Sequence, residues 1–162
     1  MLYSIIVRVR TWRVNMEGKH AIYRRKMNYY ETDQMGIIHH SNYIRLFEEA
    51  RLDMMDKEGI SYKSIEEMGI IIPVMSAECH YLVPLYYNDI IEIHSQVTKF
   101  DGIKMTLSYE IYKEGVDRAC TKGNTGHCFL DKNMKPFRMK KLYPGLYNKF
   151  KELAVPENNI LK

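Results

Sequence analysis

The chain has 162 residues, 46% of them hydrophobic and 27% charged, with a formal net charge of +4. That length suits one domain with its own core, and the composition excludes a disordered chain. Three of the positive charges, Arg8, Arg10 and Arg13, fall in the first 15 residues, which hold no acid, so the rest carries 4 − 3 = +1 and offers no basic stripe for nucleic acid.

Met16 is followed by Glu17-Gly18-Lys19, a natural polar beginning. Residues 1–15 are therefore expected to be an N-terminal extension from an upstream start, and 16–162 a single domain. In the opposite reading Tyr3, Ile5, Val7 and Val9 form an alternating edge strand. The apolar run Leu2–Val7 is too short to span a bilayer and leads into arginines rather than a cleavage site. Cys79, Cys120 and Cys128 are odd in number, lack a Cys-x-x-Cys spacing and lie in strand-like segments. They read as reduced core thiols of a cytoplasmic protein.

From Lys19 to Tyr30 a first strand is expected, leading into Tyr30-Glu31-Thr32-Asp33-Gln34-Met35-Gly36-Ile37-Ile38-His39-His40-Ser41-Asn42-Tyr43, the stretch densest in reactive side chains. Tyr43, Ile44, Phe47, Ala50, Met54 and Met55 then recur at helical spacing, with Arg45, Glu49, Asp53 and Asp56 largely opposite. Ser41 or Asn42 would cap this helix, and Lys57 followed by Gly59 would end it. Ser64–Gly69 reads as a short helical turn. Ile70–Leu82 reads as a strand, with Pro73 placing its start near an edge or bulge. Ile91, Ile93, Ser95 and Val97 alternate with polar residues up to Asp101-Gly102, a hairpin signal, and Ile103 to Ile111 alternate again beyond it. A last strand is expected from about Arg118 to Leu130, and a peripheral helix from Pro144 to Leu153. The class is α+β, with an antiparallel meander whose apolar face only the long helix is large enough to cover.

The run Asp33, Gly36, Ile37, Ile38, His39, His40, Asn42, Tyr43, Phe47, Glu48, Ala50 and Arg51 resembles the signature of the hotdog-fold acyl-CoA thioesterases of the 4-hydroxybenzoyl-CoA thioesterase type, particularly the branch associated with the Tol-Pal gene cluster. Met35 departs from it, being bulkier than the small residue expected there. The resemblance implies a hotdog fold, an antiparallel sheet wrapped around one long helix, and hydrolysis of an acyl-CoA to free acid and CoA. It also implies a homodimer or homotetramer with the active site shared between chains, and an acyl-carrier protein as a further partner.

Taken alone, Asp33 reads as a turn cap. The resemblance makes it the acid that attacks the thioester carbonyl or activates a water, and both roles stay open. It assigns the backbone N–H of His40, among the free donors at the start of the helix, to the carbonyl oxygen. Gly36 would allow close approach, and His39, Asn42 and Tyr43 would line or position the substrate site. Lys135, Arg138, Lys140 and Lys141, the densest basic cluster of the domain, are the candidates for the CoA phosphates. No metal and no cofactor beyond the CoA of the substrate are expected, because neighbouring histidines rarely aim both rings at one ion. Glu48 reads as an ion-pair partner of Arg45 or Arg51, and His80, His94 and His127 as structural. Two alternatives remain: a hotdog protein with little or no catalysis that binds acyl-carrier or lipid-synthesis partners, and a hotdog acyl dehydratase.

Overall fold

A computed structural model describes residues 21–155; the expectations for residues 1–15 lie outside that range. The order is β1 (Ala21–Lys26), a 3-10 turn (Tyr29–Glu31), α1 (Asn42–Lys57), α2 (Tyr62–Glu67), β2 (Val74–Tyr81), β3 (Ile90–Phe100), β4 (Lys104–Lys113), β5 (Thr121–Cys128), α3 (Met139–Leu142) and α4 (Pro144–Leu153). The strands form one antiparallel sheet, β1-β3-β4-β5-β2. This is the α+β hotdog arrangement, with α1 against the inner face.

Helix α1 buries Tyr43, Leu46, Phe47, Ala50, Arg51, Met54 and Met55, one stripe at helical spacing. It shares one buried cluster with Ile91, Ile93 and Val97 of β3 and Met105, Leu107, Tyr109 and Ile111 of β4, the alternate residues that the period-2 pattern assigns to one face. At the centre Phe47 lies flat on Tyr109, ring centroids 4.4 Å apart. Gly123 of β5 gives Phe47 its room, since a Cβ there would come within 2.4 Å of the ring. Gly59, at φ +67°, ends α1, and Ile60 N–H bonds back to Met55 O at 2.8 Å.

Five expectations need correction. The first strand, expected to run to Tyr30, ends at Lys26, and Tyr29–Glu31 is a 3-10 turn. Neither Ser41 nor Asn42 caps α1 through its side chain, because Ser41 Oγ bonds His39 Nδ1 at 2.8 Å and Asn42 Nδ2 bonds Glu31 O at 2.8 Å. The strand expected over Ile70–Leu82 is confined to Val74–Tyr81, and the last strand begins at Thr121 rather than Arg118. Helix α4 is not peripheral: Phe150 is fully buried, with ring centroids 5.5 Å from Phe100 and 5.2 Å from Phe129. This aromatic cluster packs α4 against the Phe100 end of β3. The short helix α3 was not anticipated.

Strand β2 is an edge, as Pro73 suggested. It pairs only with β5 among the described residues, and seven of its eight residues are exposed. No helix among the described residues is long and apolar enough to cross a membrane.

Candidate active site

The segment between β1 and α1 closes on itself. Thr32 and Ile38 form an antiparallel bridge, Asp33 N–H donates to Ile37 O at 2.9 Å, and Gly36 N–H donates to Asp33 O at 2.9 Å. Gly36 sits at φ +77° with nothing within 4 Å of where its Cβ would stand. Its requirement is thus conformational, the left-handed turn, rather than close approach of a neighbour. Ile38, 2% exposed, pins the loop, and its N–H bonds Leu85 O at 2.8 Å.

Asp33 is half-buried. Its Oδ1 accepts Met35 N–H at 2.8 Å, a turn cap of the kind expected of an isolated loop aspartate, and Oδ2 accepts no hydrogen bond among the described residues. At the start of α1, Asn42 N–H donates to His39 O at 3.0 Å and Tyr43 N–H to His40 O at 3.4 Å, while His39 N–H is taken by Glu31 O at 2.8 Å. The His40 N–H donates to nothing among the described residues. The helix end adds partial positive charge at that point.

Asp33, His40, Tyr43 and Tyr81 share a cavity of about 290 Å3 whose other walls include Ile37, Ile38 and the Leu82–Pro84 turn. Tyr43 and Tyr81 meet edge to face, centroids 4.9 Å apart, and the Tyr81 hydroxyl donates to His40 O at 3.2 Å. Burial pushes the Tyr43 phenol up to about 12, so it stays protonated. The arrangement brings Asp33 and His40 to one small, largely apolar cavity.

Not every predicted site residue joins it. Gly36, His39 and Asn42 are absent from the cavity wall: the His39 ring turns to Ser41, and the Asn42 amide to the Glu31 carbonyl. Glu48 is exposed and stands 3.9 Å from Arg51, the ion pair expected of it. The basic cluster Lys135, Arg138, Lys140 and Lys141 follows β5, where Leu130 pairs with Ile71 and Met139 N–H reaches Gly102 O. That is the Val74 end of β2, whereas the cavity is at the Tyr81 end. The length of β2 at about 3.3 Å per residue, roughly 23 Å from Val74 to Tyr81, separates them within one chain.

His94 and His127 are buried, each 2% exposed, and His80 pairs with Glu78 on the surface at 2.8 Å. Cys120 and Cys128 are buried free thiols and Cys79 is half-buried. No group of three or more His, Cys, Asp or Glu among the described residues is placed to hold a metal ion. The sequence reading missed Tyr81, Arg25 and the role of Glu31. For Glu31 a signal existed: an acid that directly follows Tyr29-Tyr30, shortly after Arg24-Arg25-Lys26.

A family model described as the thioesterase-like superfamily matches residues 27–150. A protein of Aquifex aeolicus assigned provisionally to the esterases is 43% identical over 109 residues, 67% of this chain and 84% of its own. The 1,4-dihydroxy-2-naphthoyl-CoA hydrolase of Thermosynechococcus vestitus is 29% identical over 97 residues, 59% of this chain and 66% of its own. Among solved structures, the DHNA-CoA thioesterase of Staphylococcus aureus superposes with a TM-score of 0.78 at 31% identity, covering 82% of this chain and 89% of that one.

Proposed function

The chain belongs to the thioesterase-like superfamily, and on that premise we propose that it hydrolyses acyl-CoA thioesters to free acid and CoA, with Asp33 as the reacting carboxylate. The observation that carries this reading is the unclaimed Oδ2 of Asp33 and the unclaimed N–H of His40 at one cavity. The thioester carbonyl oxygen takes the His40 N–H, which meets the negative charge that develops there as the carbon becomes tetrahedral. Asp33 either adds to that carbon, giving an acyl-Asp33 anhydride that water then cleaves, or takes a proton from the water that adds. In both routes the C–S bond breaks and the thiolate leaves with its electron pair. A thiolate is a good leaving group, so no strong acid is needed opposite Asp33. The Met35 N–H steadies Oδ1 and leaves the other oxygen to react.

We further propose that the working form is at least a dimer, formed along β2. That edge is open among the described residues and carries Val74, Met75, Tyr81 and Leu82, all exposed. Two copies of β2 paired antiparallel would set the basic end of one chain beside the Asp33 end of the other. That pairing would supply the CoA phosphates with the cations that a single chain keeps roughly 23 Å away. Three free thiols fit a reducing, cytoplasmic setting.

The test is thiol release from a panel of straight-chain and aromatic acyl-CoAs by the parent and by Asp33→Asn. The parent turns over at least one of them, and the variant loses about two to four powers of ten. Turnover by Asp33→Asn within a few-fold of the parent would remove Asp33 from the chemistry and return attention to Glu48.

A further inference from the structure

Glu31 stands two residues before Asp33 and is only 5% exposed. A carboxylate that buried needs compensation, and here it is local and specific. Its Oε2 accepts from Arg25 Nη2 and from Asn28 N–H, each at 2.6 Å. Arg25 also gives Nη1 to both oxygens of Glu49 on α1, each at 2.9 Å, and the Tyr23 hydroxyl adds a bond to Glu49 at 3.2 Å. The carbonyl oxygen of Glu31 is occupied as well, by His39 N–H and by Asn42 Nδ2, both at 2.8 Å.

Glu31 therefore closes the neck of the loop. Its carboxylate is tied to β1 and, through Arg25, to the outer side of α1. Its carbonyl is tied to the returning leg and to the first residue of the helix. The turn's own bonds at Asp33 and the Ile38 N–H bond to Leu85 O shape the loop locally, but beyond Ile38 it has no deeply buried apolar side chain to seat it against α1, and Met35 is 74% exposed. The polar ties that join the neck of the loop to β1, to the His39 backbone and to the start of α1 converge on this residue.

We propose that Glu31, held by Arg25, is a positioning residue for hydrolysis, keeping the Asp33 carboxylate in register with a carbonyl bound at the His40 N–H. The inference rests on Asp33 being the reacting acid. Glu31 touches neither substrate nor reacting atoms, so its loss slows the chemical step and leaves ground-state binding nearly intact. A misplacement of about 1 Å can cost on the order of a hundredfold in rate.

The experiment is steady-state kinetics on the best acyl-CoA for the parent, Glu31→Gln, Arg25→Met, Arg25→Lys, the Arg25→Met/Glu31→Gln double variant, Asp33→Asn and Ile65→Val. The last lies in the core of α2, away from the loop, and controls for lost stability. The expected result is a kcat about 10- to 100-fold lower for Glu31→Gln, with KM within about threefold, at a temperature where Ile65→Val keeps the parent kcat. Arg25→Met shows the same split, Arg25→Lys recovers part of the loss, and the double variant is little worse than either single one, because the pair acts as a unit. If Glu31→Gln fails to fold, the two Arg25 variants carry the same comparison. A Glu31→Gln kcat within twofold of the parent would overturn the proposal. So would losses that multiply in the double variant, or that merely follow the folded fraction. If Asp33→Asn is inactive while Glu31→Gln is intact, positioning alone is wrong; if Asp33→Asn turns over normally, Asp33 is not the reacting acid and the positioning proposal falls with that premise, while hydrolysis itself stands.

Discussion

Replacing Gly123 by alanine tests how tightly α1 is seated on the sheet. A Cβ built there lies 2.4 Å and 2.5 Å from two ring atoms of Phe47 and 2.6 Å from the backbone oxygen of Glu78. Each contact is short of van der Waals separation by close to an ångström. Phe47 has no room to withdraw, being fully buried and stacked 4.4 Å from Tyr109, and a strand carbonyl cannot swing away without breaking its ladder. Overpacking of this kind costs about 1–3 kcal/mol or somewhat more, and a Gly-to-Ala exchange returns about 0.4–1 kcal/mol through the unfolded chain. The net loss is about 2 kcal/mol, or roughly 4–8 °C in Tm for a chain of this size. Gly126 on the same strand is the control. Its Cβ would meet only the Ser76 side chain, Oγ at 2.5 Å, and Ser76 is exposed and free to turn. Thermal unfolding of both variants at one protein concentration should place Gly123→Ala well below the parent and Gly126→Ala near it. A Tm for Gly123→Ala within 2 °C of the parent (about 0.5–1 kcal/mol), or equal losses in both variants, would refute the close seating of Phe47.

Asp33→Ala should lower Tm by roughly 2–4 °C, the cost of about 1 kcal/mol for losing the acceptor of Met35 N–H, while Asp33→Asn keeps that bond and the parent Tm. Both lose activity, and equal Tm values would mean that the turn does not depend on the cap. Burial, and secondarily the neighbouring Arg51, lowers His127 from 6.5 to about 4, so the unfolded chain binds the proton more readily between those pH values. Stability from this group is present above pH 6.5 and is lost as pH falls toward 4, by at most about 3 kcal/mol. Urea titrations should show a flatter pH dependence across that window in His127→Gln, and an unchanged slope would exclude His127 as the source. Light scattering at micromolar concentration should give at least twice the chain mass of 19.3 kDa; an active monomer would count against assembly along β2.

The elements that were legible in the sequence are those whose signals are local. The stripe from Tyr43 to Met55 marks a helix because its period is complete within a few turns, and Gly59 marks its end because few other residues take a left-handed conformation at so little cost. The β3–β4 hairpin was readable from alternation on both sides of Asp101-Gly102, where Asp101 Oδ1 receives the N–H groups of Ile103 and Lys104 at 2.8 and 2.7 Å. The Asp33 loop stood out by composition, and its family resemblance rests on consecutive residues.

Side-chain partners were another matter. Ser41 and Asn42 have the chemistry of caps, yet both spend it on loop groups brought near them by the fold. The Arg25 bridge joins residues 6 and 24 positions away, and no periodicity links them. The basic cluster looked free to serve any site until the strand order set it at the far end of the sheet from Asp33. The sequence by itself thus determined the helix, the alternating strands, the α+β class and the acid to examine, because backbone preference and hydrophobic periodicity act over a few residues. Only the tertiary structure decided that Glu31 is buried and clamped, that Phe47 needs Gly123, and that cations and carboxylate lie at opposite ends. Those relations depend on the register of strands distant in the chain, which emerges only when the sheet closes over α1.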